Sequence, residues 1–148
     1  MKGILKWPLI VAAVVVILRV VAERAGAPPV VSNTLSVAVL HTLLGPLYFA
    51  LQVGLAGKPR PYLTLIQLIA IYAICTRAMV LPTYWLARIF EWPEPRFAGL
   101  AGPNVTPFAG FIAVPLITAA FWIVASIVIG GTIGVTILAI MRSRTKTA

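Results

Sequence analysis

Hydrophobic positions gather in four long runs, separated by short stretches rich in proline, glycine or charge. Each run meets or exceeds the roughly 20 apolar residues that carry a helix across a bilayer core. The runs predict spans at about 4–22, 35–56, 62–90 and 114–141, with outer loops at 23–34 and 91–113, a cytoplasmic turn at 57–61 and a basic tail at 142–148. The fold class that follows is all-α: a polytopic integral membrane protein, one membrane domain over 1–148, with four transmembrane helices.

The interruptions define the elements. The first run opens with Lys2 and Lys6 and closes on Arg19, Glu23 and Arg24. Its basic start and the small residues Ala25, Gly26 and Ala27 have the look of a signal peptide. Pro28 fits such a cleavage site poorly, so the run reads as a retained span whose Lys6 and Arg19 snorkel. Pro28 and Pro29 stop this helix, and Ser32, Asn33 and Thr34 offer caps to the next. Pro46, Pro82 and Pro115 each fall inside a later run, as tolerated bends. The third run ends in the aromatic residues Tyr84, Trp85, Phe90 and Trp92, the composition of an interfacial belt. Pro93, Pro95, Pro103 and Pro107 rule out a continuous helix over 91–107. The last run, Phe108 to Met141, is uncharged and too short for two crossings, which favours one long tilted helix from about Val114 with 108–113 near the interface.

Composition agrees with lipid as the solvent: 61% of residues are hydrophobic, only 10% are charged and mean hydropathy is +1.03. The net charge of +9 would suggest nucleic acid in a soluble chain. Here the basic residues flank apolar runs without forming a stacking surface, which points to topology and anionic lipids and away from nucleic acid. Seven Lys and Arg residues (Lys2, Lys6, Lys58, Arg60, Arg142, Arg144, Lys146) fall on one side of a four-span path. Arg19, Arg24, Arg88 and Arg96 fall on the other with Glu23, Glu91 and Glu94, so both termini are expected on the cytoplasmic side of a cytoplasmic (inner) membrane.

Arg77 lies inside the third run. Arginine stays charged, and a bilayer-centre arginine costs about 2.5–3.5 kcal/mol on insertion scales. The chain contains no Asp, and its three Glu lie in or beside the outer loops. Arg77 is therefore expected to snorkel toward Glu91 or Glu94, to use a carbonyl freed by Pro82, or to meet an anionic lipid, a ligand or an acid of another subunit. His41, in the second run, sits where antiparallel packing brings it to a similar depth. Its imidazole suits hydrogen bonding between helices, or axial ligation of a haem or chlorophyll-type pigment. Ser126, Gly130 and Gly134 recur every fourth position and form one small-residue face for helix packing, within the chain or against a partner. Ala50 and Gly54 make a weaker second pair. Trp85 and Trp92 are expected to contact lipid or a partner. Trp122 reads as packing or a lipid contact, and Cys75 as a small buried hydrophobe. Asn104, Val105 and Thr106 form a glycosylation triplet weakened by Pro107.

No nucleophile–base set, metal motif or phosphate loop occurs, so the chain is not expected to be an enzyme. The residues fit a non-catalytic structural or accessory subunit of a larger membrane complex, with respiratory and photosynthetic energy-transducing complexes among the candidates. The alternatives are a small self-associating transporter or channel, and a pigment- or haem-binding subunit that uses His41.

Overall fold

The computed structural model describes residues 2–57, 59–102 and 104–144, and no strand occurs among them. The helices are α1 (Lys2–Arg24), the short α2 (Pro29–Thr34), α3 (residues 37–55), α4 (Pro61–Ile89) and α5 (Ala109–Arg144). Four of the resulting segments, α1, the α2–α3 pair, α4 and α5, are long and apolar enough to cross a membrane. The loops at 25–28 and 90–108 gather at one end of the bundle, here the loop end. The start of α1, the 56–60 turn and the close of α5 gather at the other, the terminal end. Lys58, Lys146 and Pro103, and the tail from 145 on, lie outside the described residues.

The boundaries differ from expectation in two places, each for a local reason. The stretch 23–34 is not a simple loop, because Pro29 occupies the first turn of α2, where a fixed φ and a missing N–H cost nothing. The helix breaks at Leu35, and Ser36, not Ser32, Asn33 or Thr34, caps the next by accepting the Ala38 N–H at 3.2 Å. The Thr34 hydroxyl instead turns back to the Val30 carbonyl. The last helix starts at Ala109, five residues ahead of Val114, because the Thr106 hydroxyl accepts the Ala109 N–H at 3.2 Å and starts it early. At 36 residues and 1.5 Å per residue, α5 is about 54 Å long. That exceeds a hydrocarbon core of about 30 Å, so a helix of this length crossing a bilayer would tilt or project.

Two prolines are absorbed by widened turns. Ahead of Pro46, residues Leu40–Leu44 form a π turn in which the Gly45 N–H reaches back five residues to the Leu40 carbonyl. Ahead of Pro115, Ala109–Ala113 do the same, with the Val114 N–H on the Ala109 carbonyl. Each wide turn gives the proline ring room against the carbonyl it cannot donate to. The carbonyl freed at Pro115 is then used. The Phe111 carbonyl, four residues before Pro115, accepts the Trp85 indole N–H at 2.9 Å. A third π turn, Ser126–Gly130, lies in α5 opposite the first.

α4 is the hub of the bundle, packing against α1, α3 and α5, while α5 also packs along α3. The small-residue face of α5 makes that approach possible. A methyl group on Gly130 would stand 2.6 Å from the Pro46 ring and 3.1 Å from the His41 carbonyl, and one on Gly134 would meet Leu65 at 3.2 Å. Gly130 and Gly134 therefore contact this chain's own helices. Gly54 serves similarly, against Met141. The outward faces of α1 and α5 carry Ile17, Val21, Ile117, Phe121, Val124 and Val128, all exposed.

Two apolar clusters divide the interior. At the terminal end, Phe49, Leu65, Leu68, Ile69, Tyr72 and Leu138 are fully buried against one another. At the loop end, Phe97 and Leu100 fold back under the 90–108 loop onto Val80, Tyr84 and Ala87.

Candidate functional site

The two facing π turns aim polar side chains at the middle of the bundle. His41, on the first, is 0% exposed, as is Ser126, which opens the third. Arg77 enters from α4 at 8% exposure. The three join in one chain: an Arg77 Nη2 hydrogen bond to His41 Nε2, then His41 Nδ1 to Ser126 Oγ. Ser126 Oγ in turn donates to the Trp122 carbonyl at 2.7 Å.

The direction of this chain follows from donor chemistry. A guanidinium only donates, so His41 Nε2 is the acceptor and its proton sits on Nδ1, which donates to Ser126. Both imidazole nitrogens are engaged within the bundle. In this arrangement His41 links α3 to α4 and α5 and holds Arg77. The Trp122 ring completes the arrangement, with the Arg77 guanidinium 5.1 Å from its centroid and the His41 ring edge-on at 6.0 Å. Trp122 thus covers a charge.

Arg77 does not snorkel toward Glu91 or Glu94. Glu94 pairs with Arg24 at 2.9 Å, and Glu91 lines a separate surface cavity beside Arg88. Arg77 instead lines a cavity of about 290 Å³ in the loop-end half, where Arg19 and Arg96 also converge. Asn33, Ser36, Tyr84 and Trp122 supply its polar and aromatic lining; Val16, Val37 and Val80 supply apolar wall. No carboxylate is among these lining residues. A second cavity of about 200 Å³ adjoins it, shares Arg19, Asn33 and Arg96, and includes Glu23 and Glu94.

Glu23 sits between two of the arginines. It accepts from Arg19 Nε at 2.9 Å and forms an ion pair with Arg96 Nη2 at 2.8 Å. The second contact is close but misaligned, so it satisfies neither Glu23 Oε2 nor Arg96 Nη2 as a hydrogen bond. Arg19 also donates to Ser36 Oγ at 3.2 Å. Burial lowers the Arg96 pKa from its usual value, and Glu23 acts in the opposite direction. Arg77 Nε and Arg96 Nε are likewise buried without a hydrogen-bond partner among the described residues. Buried donors of a charged group left this way are costly, and each calls for an explanation.

The remaining expectations resolve simply. Trp85 is partly exposed but holds the Phe111 carbonyl, and Trp92 stacks near Phe97 with Arg24 over its ring, so both fasten the loop end. Cys75 is half-buried. Arg88 bonds the Val105 carbonyl inside the Asn104–Thr106 triplet. Among the described residues no three His, Cys, Asp or Glu side chains gather as a metal site.

Arg77 and His41 stand out in the sequence, whereas nothing local marks Arg19, Arg96, Ser36 and Tyr84 as members of the same site. The available signal was that arginines outnumber acids at the loop end. Comparison with protein-family models, curated proteins and solved structures finds no match for this chain.

Proposed function

We propose that this protein is a non-catalytic component of a cytoplasmic membrane that binds an anion from the outer side, in the manner of an accessory subunit rather than an enzyme. The observation that carries this reading is the loop-end cavity, where Arg19, Arg77 and Arg96 face one space whose lining has no carboxylate. A buried arginine persists in a bundle when something compensates it, and His41 with Trp122 supplies only neutral partners. An incoming anion supplies the missing charge.

The charge sorting along the chain supports placing the terminal end in the cytoplasm and the loop end outside. Binding is favoured over conduction because Phe49, Leu65, Leu68, Ile69 and Tyr72 fill the bundle below the site at 2% exposure or less, leaving no polar route onward. The apolar faces of α1 and α5 are suited to lipid and to neighbouring membrane subunits.

The test is thermal unfolding of the purified protein in nanodiscs, with sodium chloride replaced by multivalent oxyanions at constant ionic strength. The midpoint is expected to rise for the wild type and to stay flat for Arg77→Gln. A wild-type midpoint indifferent to every anion tried would exclude an anion site here.

A further inference from the structure

The three arginines differ in what they still have to offer. Arg77 spends Nη2 on His41 and its face on Trp122, and keeps Nε. Arg96 lies with its guanidinium 4.2 Å from the Phe97 ring centroid, spends Nη2 on the 2.8 Å ion pair with Glu23, and keeps Nε. Arg19 is the most committed, to Glu23 and Ser36. Counting Glu23 as the shared counter-ion of Arg19 and Arg96, the site retains two positive charges. Arg77 thus reaches the cavity from α4 and Arg96 from the 90–108 loop.

We infer that the ligand is a phosphate group, held between the guanidinium groups of Arg77 and Arg96 that line the cavity, with its organic substituent against Tyr84 and the valines. This rests on the anion-binding reading above and narrows it. A phosphate monoester carries close to two negative charges at neutral pH, matching the two surplus charges, and its oxygens accept from more than one guanidinium at once. A carboxylate has one charge and two oxygens in a plane, which leaves one arginine uncompensated. At about 290 Å³ the cavity lies at the small end of ligand pockets and admits a phosphate with a short substituent. The phosphate has two possible sources, a soluble ion or ester and the headgroup of a phosphomonoester lipid such as phosphatidic acid.

The experiment uses the full chain in nanodiscs of phosphatidylcholine and measures binding by calorimetry with inorganic phosphate, methyl phosphate and acetate at constant ionic strength. Phosphate and methyl phosphate are expected to bind, and acetate at least tenfold more weakly. Arg96→Gln, which alters the loop and not a span, is expected to weaken phosphate by roughly tenfold or more, the loss of a charged hydrogen-bonding edge. Glu23→Gln is expected to tighten it, by adding a third unbalanced charge. Acetate binding as well as phosphate would overturn the phosphate assignment and leave the anion site standing. No binding by any of the three, in phosphatidylcholine or after titration with phosphatidic acid, would overturn both. Mass spectrometry of lipid retained through gentle extraction separates the sources. Phosphatidic acid held by the wild type and lost in Arg96→Gln assigns the lipid headgroup; inorganic phosphate binding without such retention assigns the soluble one.

Discussion

The two halves of this bundle are built from the same four helices and solve opposite problems. In the terminal-end half, Phe49, Leu65, Leu68, Ile69, Tyr72 and Leu138 interlock with almost no exposure, and helix contact is secured by the shape of apolar side chains and glycines. In the loop-end half the helices stand apart around a cavity, and beside the smaller apolar cluster of Val80, Tyr84, Ala87, Phe97 and Leu100 directional contacts tie them: the Arg77–His41–Ser126 chain, the Arg19–Glu23–Arg96 cluster and the Arg24–Glu94 pair. In lipid, apolar surface gains little by leaving its solvent, so association depends on close packing or on polar contacts that have nowhere else to go. The protein relies on the first below its middle and adds the second above it.

That division is most strongly tested by damaging the packed half. Leu65→Ala is expected to cost on the order of 2–5 kcal/mol of unfolding free energy while leaving anion binding at wild-type strength in the folded fraction. Reversible unfolding in mixed micelles, paired with calorimetry, checks both. Loss of binding in proportion to stability would mean the halves do not act separately.

Gly130→Val attacks the seam between the halves. Its side chain would press on the Pro46 ring and the His41 carbonyl, a cost of about 1–3 kcal/mol for overpacking, and would move the π turn that carries His41. Both stability and anion affinity are expected to fall, distinguishing it from Leu65→Ala.

Ser126→Ala removes the acceptor for His41 Nδ1 in a site with no water access of its own. The orphaned donor is expected to cost about 1–3 kcal/mol, and the histidine ring signals in NMR are expected to broaden as the imidazole loses its anchor. Sharp, unshifted ring signals with no loss of stability would remove Ser126 from the chain.

The smallest effect belongs to Arg24→Gln. Arg24 is nearly half exposed where it meets Glu94, and such pairs contribute about 0.2–1 kcal/mol. Global stability should barely change. Proteolysis within 90–108 should quicken, because this pair is one of the ties between that loop and α1.

How much of this was legible beforehand depends on the residue. The spans were readable because twenty apolar residues in a row have few other uses. Their ends were less so. The start of α2 at Pro29 and of α5 at Ala109 turned on single capping hydroxyls and on proline accommodation, which hydropathy does not register. Arg77 stood out because its cost in a span is independent of context. Its partner His41 was visible as a residue at a similar depth, but not as the acceptor in a chain ending on Ser126. Ser126 looked like one of three small residues on a face, and only its position at the head of a π turn set it apart from Gly130 and Gly134. Arg19 and Arg96 resembled ordinary flanking charges. Nothing local says that one ends α1 and the other begins a loop that folds back over the same space.

The sequence alone determined that the chain is helical and apolar over four span-length runs, that charge is unevenly sorted between the two ends, and that one buried arginine lacks an acid at its depth. These are properties of composition and order along the chain, and solvent preference reads them directly. Tertiary structure decided which donors are spent and which are left. That choice depends on α1, α4 and the 90–108 loop meeting around one cavity, and on two widened turns rotating His41 and Ser126 to face each other. A hydrogen bond is a matter of tenths of an ångström and of angle, and those are set only when the helices pack.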